Sequence, residues 1–347
     1  MSALPPLTPW QQRAYATAAD ALIRGRLAHA LLFVGADHLG KRIVAERLAQ
    51  RLLCEAEPGV EPCGACRSCR LFAVRSQHDA IELRPDGQPA HPFGHAGHPD
   101  LRLLGHAWNS KARPPKLRSE IVIEQIRELS ERLALTSQYG RAQVAILDPA
   151  DAINRAAANA LLKTLEEPAV GRYLWLVTAQ PAHLPATIRS RCQRMDFPLP
   201  PRAEAIDWLE SQGVDAAAAG EALDAARGNP GLAWRWLADA GLELRRQVEA
   251  DLDAVARARE APQQTAQRWV ADGAATQRLR HAAELALTQA RGGLTDSGRT
   301  RRLAAWFDAA NRIRDLLRSP IRADLAVTGL LLQWREDHAP ASTRRSV

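Results

Sequence analysis

Four of the five cysteines in this chain of 347 residues lie close together, in the pattern C-x8-C-x2-C-x2-C. They are Cys54, Cys63, Cys66 and Cys69. Structural zinc takes four soft ligands in a tetrahedron, and C-x2-C spacings let adjacent thiolates face one ion. The pattern predicts a structural zinc site. Because the protein fills all four positions, such an ion has no open site for catalysis.

Two other interpretations of the cysteines stay open. An iron–sulfur cluster is one, because C-x2-C-x2-C also opens a ferredoxin run, although the x3-C-P that completes the run does not follow Cys69. Four buried or free thiols without a metal are the other. Disulfides are not expected among them in a cytosolic protein.

A glycine-rich segment, residues 35–42, has most of a phosphate-binding loop. Gly35, Gly40 and Lys41 satisfy GxxxxGK, the spacing with which backbone amides and a lysine bind phosphates. Arg42 stands where a Ser or Thr hydroxyl should hold Mg²⁺, and a guanidinium has no acceptor for a metal. Asp37 also adds negative charge to the loop. We predict a degenerate Walker A loop, and nucleotide binding without hydrolysis is left open.

A second apolar run, Val144 to Asp148, has the form of a Walker B strand that ends in an acid. The glutamate that would activate water should come next, but Pro149 occupies its place. The metal ligand and the water-activating residue are therefore both missing. The sequence predicts that ATP with Mg²⁺ is not hydrolysed by this chain.

Strand-length apolar runs alternate with helical patterns through the first 198 residues. This alternation predicts a parallel α/β domain with three layers. The expected strands are 30–34, 143–148 and 173–178, and the expected helices are 41–54, 121–135 and 151–167.

Beyond Pro198 the patterns are helical only. We expect a small helical domain over 199–240 and a larger one over 241–347, with a frayed tail at 338–347. The Gly-, Pro- and His-rich segment 85–115 is predicted to be a long surface insertion. Five histidines in or beside it are predicted to be solvated loop residues and not metal ligands: His78, His91, His95, His98 and His106.

The composition is that of an ordinary globular protein, with 46% hydrophobic and 24% charged residues. The net charge of +7 is weak evidence for a nucleic-acid partner, because arginine is abundant throughout. No apolar stretch is long enough to span a membrane and no secretory signal is recognisable, so a cytoplasmic protein is expected.

Several motifs together resemble the AAA+ subunits of the bacterial DNA polymerase III clamp loader. They are Leu31-Leu32-Phe33 before the loop, the four cysteines after the first helix, the segment NALLKTLEEP at 159–168, and Ser190-Arg191-Cys192 after Pro185-Ala186-Thr187-Ile188-Arg189. The resemblance extends to about residue 235. It implies that 1–198 is a P-loop-like AAA+ domain and 199–240 a helical lid. By analogy, 241–347 is a helical collar for oligomerisation.

Within that group the chain resembles the delta-prime subunits. The gamma/tau motor subunits keep an intact Walker A loop and an Asp-Glu pair, and they carry a sensor arginine where Gly231 stands here. Delta lacks both the SRC motif and the zinc cysteines. The insertion at 85–115 is longer than the resemblance leads us to expect.

The resemblance implies a role for Arg191, flanked by Ser190 and Cys192. It would be an arginine finger that acts in trans on ATP bound by a neighbouring gamma/tau subunit, while Cys192 is a small buried residue. The chain would be a stator without activity of its own, a component of the DNA-directed DNA polymerase III holoenzyme. It would work in DNA replication, with gamma/tau, delta and primed DNA as partners and with indirect or weak contact to the beta sliding clamp.

Two alternatives make different predictions. An ATP-hydrolysing clamp-loader motor subunit would turn over ATP as an isolated chain. A zinc-containing nucleic-acid-binding module would bind DNA alone, with a steep dependence on salt.

Overall fold

The computed structural model describes residues 4–56, 59, 61–76, 94–109, 112–113, 116–139, 141–292, 296–317 and 321–338. The chain divides into two compact units, Met1–Trp234 and Arg235–Val347. Each is described by itself.

The first unit is built on a parallel sheet. Its five strands have the order β4-β7-β8-β1-β9, and two short antiparallel pairs, β2 with β3 and β5 with β6, lie outside it. In chain order the strands are β1 (Ala30–Gly35), β2 (Arg75–Ser76), β3 (His95–Ala96), β4 (Leu101–Leu104), β5 (Trp108–Asn109), β6 (Lys116–Leu117), β7 (Gln143–Leu147), β8 (Arg172–Thr178) and β9 (Gln193–Phe197).

Helices cover both faces of this sheet. They are α1 (Pro9–Ile23), α2 (Lys41–Leu53) and α3 (Arg67–Ala73) on one face, and α4 (Ile123–Ala134), α5 (Arg155–Glu166) and α6 (Ala186–Arg189) on the other. Alternate residues of β1 point to opposite cores: Leu31 and Phe33 pack with the first group, Leu32 and Val34 with the second. Strands buried on both faces read as continuous apolar runs. The predicted parallel α/β fold is confirmed.

Three more helices complete the first unit: α7 (Arg202–Ser211), α8 (Ala216–Ala225) and the start of α9 (Pro230–Ala238). Trp208 of α7 makes edge-to-face contacts with Trp10 and Trp234, with ring centroids 5.4 and 6.3 Å apart. Arg13 of α1 forms a two-point ion pair with Glu204, at 2.8 and 2.9 Å. These contacts attach α7 and α9 to the helix that precedes the phosphate loop.

The second unit is helical throughout its described part. It holds α10 (Gly241–Ala256), α11 (Pro262–Ala271), α12 (Ala275–Gly292), α13 (Ser297–Leu316) and α14 (Ala323–His338). Its core contains Trp269, Trp306 and Trp334. None of the helices in the described ranges combines the length and the hydropathy that a membrane-spanning segment needs. The bounds 199–240 and 241–347 stay a prediction for the two helical domains.

One expected bound needs correction, and two strands add to the expected set. The helix expected from residue 151 begins only at Arg155, because the Asn154 side chain caps it by accepting a hydrogen bond from the Ala157 amide at 2.9 Å. Strand β9 was not predicted, and neither was β4. Leu101–Leu104 lies inside the supposed insertion, yet it pairs in parallel with β7 as the edge strand of the main sheet.

The interpretation of the histidines was also wrong in part. His98 and His106 are buried, with exposed fractions of 1% and 5%, and are not solvated loop residues. His78 and His91 lie outside the described residues, as do 85–93, 110–111 and 114–115 of the expected insertion and 339–347 of the expected tail.

Candidate functional site

The four cysteine sulfurs converge, and we call them the cysteine cluster. All four Sγ atoms lie within 4.8 Å of one another. The Sγ of Cys54 is 3.5 Å from that of Cys63 and 3.9 Å from that of Cys66, and Cys63 is 4.0 Å from Cys69. A tetrahedron of Zn–S bonds has sulfurs about 3.8 Å apart. The geometry and the donor set therefore fit a zinc ion.

Local structure explains this convergence. Cys54 ends α2 as its C-cap, Cys66 is the N-cap of α3, and Cys69 lies in the first turn of α3. Backbone amides donate to the sulfurs: Cys66 N to Cys63 Sγ at 3.3 Å and Cys69 N to Cys66 Sγ at 3.3 Å. The Cys66 amide is the largest cause that lowers the pKa of exposed Cys63 to about 6, whereas burial raises the pKa of Cys69.

A buried network joins the cysteine cluster to the edge of the sheet. Ser68 Oγ lies 2.8 Å from His98 Nε2, and the Asp100 amide donates to His98 Nδ1 at 3.1 Å. Since Nδ1 accepts, Nε2 carries the proton and donates to Ser68. Burial lowers the pKa of His98, which favours this neutral form. His98 therefore cannot act as a base on Ser68, and the pair anchors α3 to the segment that leads into β4.

The phosphate loop is engaged by the chain's own side chains. Lys41 Nζ donates to the carbonyls of Gly35 and Ala36, both at 2.7 Å. Trp10 and Gln11 both donate to the carbonyl of Leu39, at 3.2 and 3.1 Å.

The start of α9 approaches the same loop. Asn229 Nδ2 donates to the Asp37 carbonyl at 2.8 Å. A Cβ added at Gly231 would lie 1.9 Å from the carbonyl oxygen of His38. Glycine is therefore required at 231, where a motor subunit would carry a sensor arginine, because the backbone of the loop fills the space.

Arg42 occupies the neighbourhood in which a Walker motif would hold Mg²⁺. Its Nε donates to Glu46 at 2.8 Å, and a terminal nitrogen lies 3.6 Å from the carboxylate of Asp148, directly after β7. All three side chains are nearly buried, with exposed fractions of 9%, 1% and 8% for Arg42, Glu46 and Asp148. A fixed guanidinium beside the acid does not fit a magnesium site.

The SRC motif directly follows α6 at the surface. Arg191 donates to the Thr187 carbonyl at 2.9 Å and pairs with Glu166 at 2.6 Å, and 36% of its side chain is exposed. Both of these contacts, with Thr187 and Glu166, lie outside the phosphate loop of the described chain. Cys192 is buried as predicted, and burial raises the pKa of its thiol to about 11, which disfavours a nucleophilic thiolate.

Sequence reasoning did not assign four residues that the structure brings to these sites: Gln11, Glu166, His98 and Asn229. Two carried a usable signal. Glu166 belongs to the segment that resembles clamp loaders, and Asn229 lies in the Gly228–Gly231 turn. Gln11 and His98 carried none, because their partners are 28 and 30 residues away along the chain.

The chain is similar to known replication proteins. Residues 10–201 match a family model described as DNA polymerase III, delta subunit. The chain is 34% identical over 242 residues to DNA polymerase III subunit delta' of Pseudomonas aeruginosa, covering 69% of this chain and 64% of that protein. It is 31% identical over 228 residues to the Escherichia coli subunit of the same name, covering 65% and 59%. These alignments span less than two thirds of each relative.

A gamma subunit-related protein from Thermotoga maritima aligns at 14% identity with a TM-score of 0.46, covering 93% of this chain and all of that one. The family model covers more than half of the sequence. The chain therefore belongs to the family described as DNA polymerase III, delta subunit, and the two relatives above are each named DNA polymerase III subunit delta'.

Proposed function

We propose that this chain works as a clamp-loader stator that does not hydrolyse ATP and that offers Arg191 to the triphosphate of a neighbouring gamma/tau subunit. One contrast carries the proposal. The chain's own magnesium position is taken by Arg42, while Arg191 lies partly exposed.

The absence of hydrolysis is supported by the contacts around Arg42. Binding Mg²⁺ at Asp148 would require the guanidinium to leave a carboxylate that is itself nearly buried. Separating one partner from a buried ion pair costs about 3–5 kcal/mol. Pro149 follows Asp148 and offers no group that could orient water.

The role in trans is supported by the chemistry of arginine. A guanidinium is always charged and its planar donors match phosphate oxygens. In comparable phosphoryl transfers an arginine finger contributes a factor of about 10³–10⁵ in rate. Zinc in the cysteine cluster would supply a rigid link between α2 and α3 and no chemistry at the nucleotide.

The wider assignment follows from the same proposal. The helices over 199–240 would form the lid and those over 241–347 the collar through which the chain joins gamma/tau and delta. The assembled loader, in the cytoplasm, would place the beta sliding clamp on primed DNA.

The test is a reconstituted loader that contains Arg191→Ala. We expect an intact complex whose clamp- and DNA-stimulated ATP turnover is lowered, because one site has lost its finger. Arg189→Ala is the matched control, since Arg189 is also exposed and lies two residues earlier. Unchanged turnover with Arg191→Ala would remove the proposed role, and turnover by the isolated chain would favour the motor-subunit alternative.

A further inference from the structure

The guanidinium of Arg191 is already engaged by acceptors of its own chain. One terminal nitrogen lies 2.6 Å from Glu166 Oε1, and the other donates to the Thr187 carbonyl at 2.9 Å. The carboxylate neutralises the charge that a phosphate would need. In this state Arg191 is held, but it is not available to an external anion.

The position of Glu166 at the C-terminal end of a helix is unfavourable for an acidic side chain. It is the last residue of α5, and Glu167 follows as the C-cap. The C-terminal end of a helix carries partial negative charge, so two acids there are unfavourable. Glu166 also does not cap this helix, because an ionised carboxylate has no donor for the free carbonyls at a helix C-terminus. Its ion-pair partner within the described residues is Arg191.

The pair is weak enough to exchange. Side-chain exposure is 36% for Arg191 and 46% for Glu166, so water screens both charges. A triphosphate carries more charge than one carboxylate and offers several oxygens to the fork of donors. A neighbour's triphosphate can therefore displace Glu166, whereas isolated anions of lower charge compete less well.

We propose that Glu166 is a positioning residue that holds Arg191 in the free subunit and must release it when a neighbour presents a triphosphate. The inference rests on the function proposed above. Glu166 restrains the side chain near the surface where it is needed and lowers its availability until the neighbour arrives.

The decisive variant is Glu166→Gln in the reconstituted loader at subsaturating ATP. We expect stimulated ATP turnover to rise about 1.4- to 5-fold, which is the range that the loss of an exposed ion pair gives. Glu166→Asp keeps the charge and should return turnover toward the wild-type value. Glu167→Gln is the matched control, because it removes the same charge one residue further along.

A second measurement uses the isolated chain. The guanidinium NMR signals of Arg191, identified by their loss in Arg191→Ala, should shift in Glu166→Gln and not in Glu167→Gln. Unshifted signals, or turnover that is unchanged or lower in Glu166→Gln, would overturn the inference. If Arg191→Ala itself leaves turnover unchanged, the proposed function has failed instead, so the two failures are distinguishable.

Discussion

Two regions of the first unit hold a cation in opposite ways. Inside, Arg42 is nearly buried between Glu46 and Asp148. At the surface, Arg191 is held by one exposed carboxylate and one carbonyl. Arg42 is fixed because its guanidinium lies between two carboxylates that are themselves nearly buried. The surroundings of an arginine, and not its presence in a motif, therefore decide whether its guanidinium is fixed in the interior or held by contacts that water screens.

The largest effect should come from the metal. We expect the wild-type chain to bind one equivalent of zinc, and Cys69→Ser to lose both that zinc and the order of α3. Structural zinc sites contribute about 10–16 kcal/mol of apparent binding free energy. Metal analysis and thermal unfolding of the purified chain measure both effects.

Cys192→Ser is the matched control, because it removes a cysteine outside the cluster and should keep the zinc. A brown protein that contains iron would contradict the zinc assignment and favour the iron–sulfur alternative.

The next largest effect is the difference in stability between variants of Arg42 and Arg191. Arg42→Ala removes the guanidinium that pairs with the nearly buried carboxylates of Glu46 and Asp148, so we expect a loss of about 3–5 kcal/mol in the free energy of unfolding. Arg191→Ala removes an exposed pair and should cost at most about 1 kcal/mol. Urea unfolding of both variants gives the comparison, and equal losses would show that the two arginines do not differ as described.

The same contrast explains what could be predicted from the sequence. Strands β1, β7 and β8 lie in the middle of the sheet and are buried on both faces. Their sequences are therefore continuous apolar runs. The edge strands β4 and β9 do not need to be apolar at every position. The sequence of β9 is Gln-Arg-Met-Asp-Phe, and three of these residues are exposed. Neither carries a signal that local reasoning detects.

The site divides in the same manner. The four cysteines and the phosphate loop follow patterns of spacing along the chain, so their residue types could be predicted, and the structure brings the sulfurs together. The partners of Arg191 and His98 depend on which segments the fold brings together. Glu166 is 25 positions before Arg191 along the chain, and Ser68 is 30 positions before His98. No periodicity of the sequence reports such contacts.

The second unit contains a histidine, His281, whose surroundings disfavour the protonated form. His281 is fully buried against Trp236, with ring centroids 4.7 Å apart, and neither ring nitrogen has a hydrogen-bond partner in the described residues. Burial, and then Arg245 and Arg280, lower its pKa from 6.5 to about 3. The unfolded chain binds a proton there below pH 6.5 while the folded chain does not, so stability falls as the pH falls toward 3.

Between pH 7 and pH 5 this histidine should cost about 2 kcal/mol of stability. His281→Gln stays neutral, so its loss over the same interval should be smaller by that amount, which urea unfolding at the two pH values measures. The difference between variant and wild type removes the contribution of His338, whose pKa is also lowered by burial. Identical slopes would mean that His281 is protonated in the folded protein.

The smallest effect is the stability of Glu166→Gln in the isolated chain. Losing the exposed pair with Arg191 costs about 0.2–1 kcal/mol, and removing an acid from the end of α5 returns about 0.3–1 kcal/mol. The two terms oppose each other, so we expect the free energy of unfolding to stay within about 0.8 kcal/mol of the wild-type value. Glu167→Gln relieves the helix end without breaking a described pair and should be neutral or slightly stabilising. A loss above about 1 kcal/mol for Glu166→Gln would mean that the Arg191 pair stabilises the fold, as the Arg42 pair does. That result would contradict the proposed role of Glu166, because a residue that must release Arg191 cannot also be required for the stability of the protein.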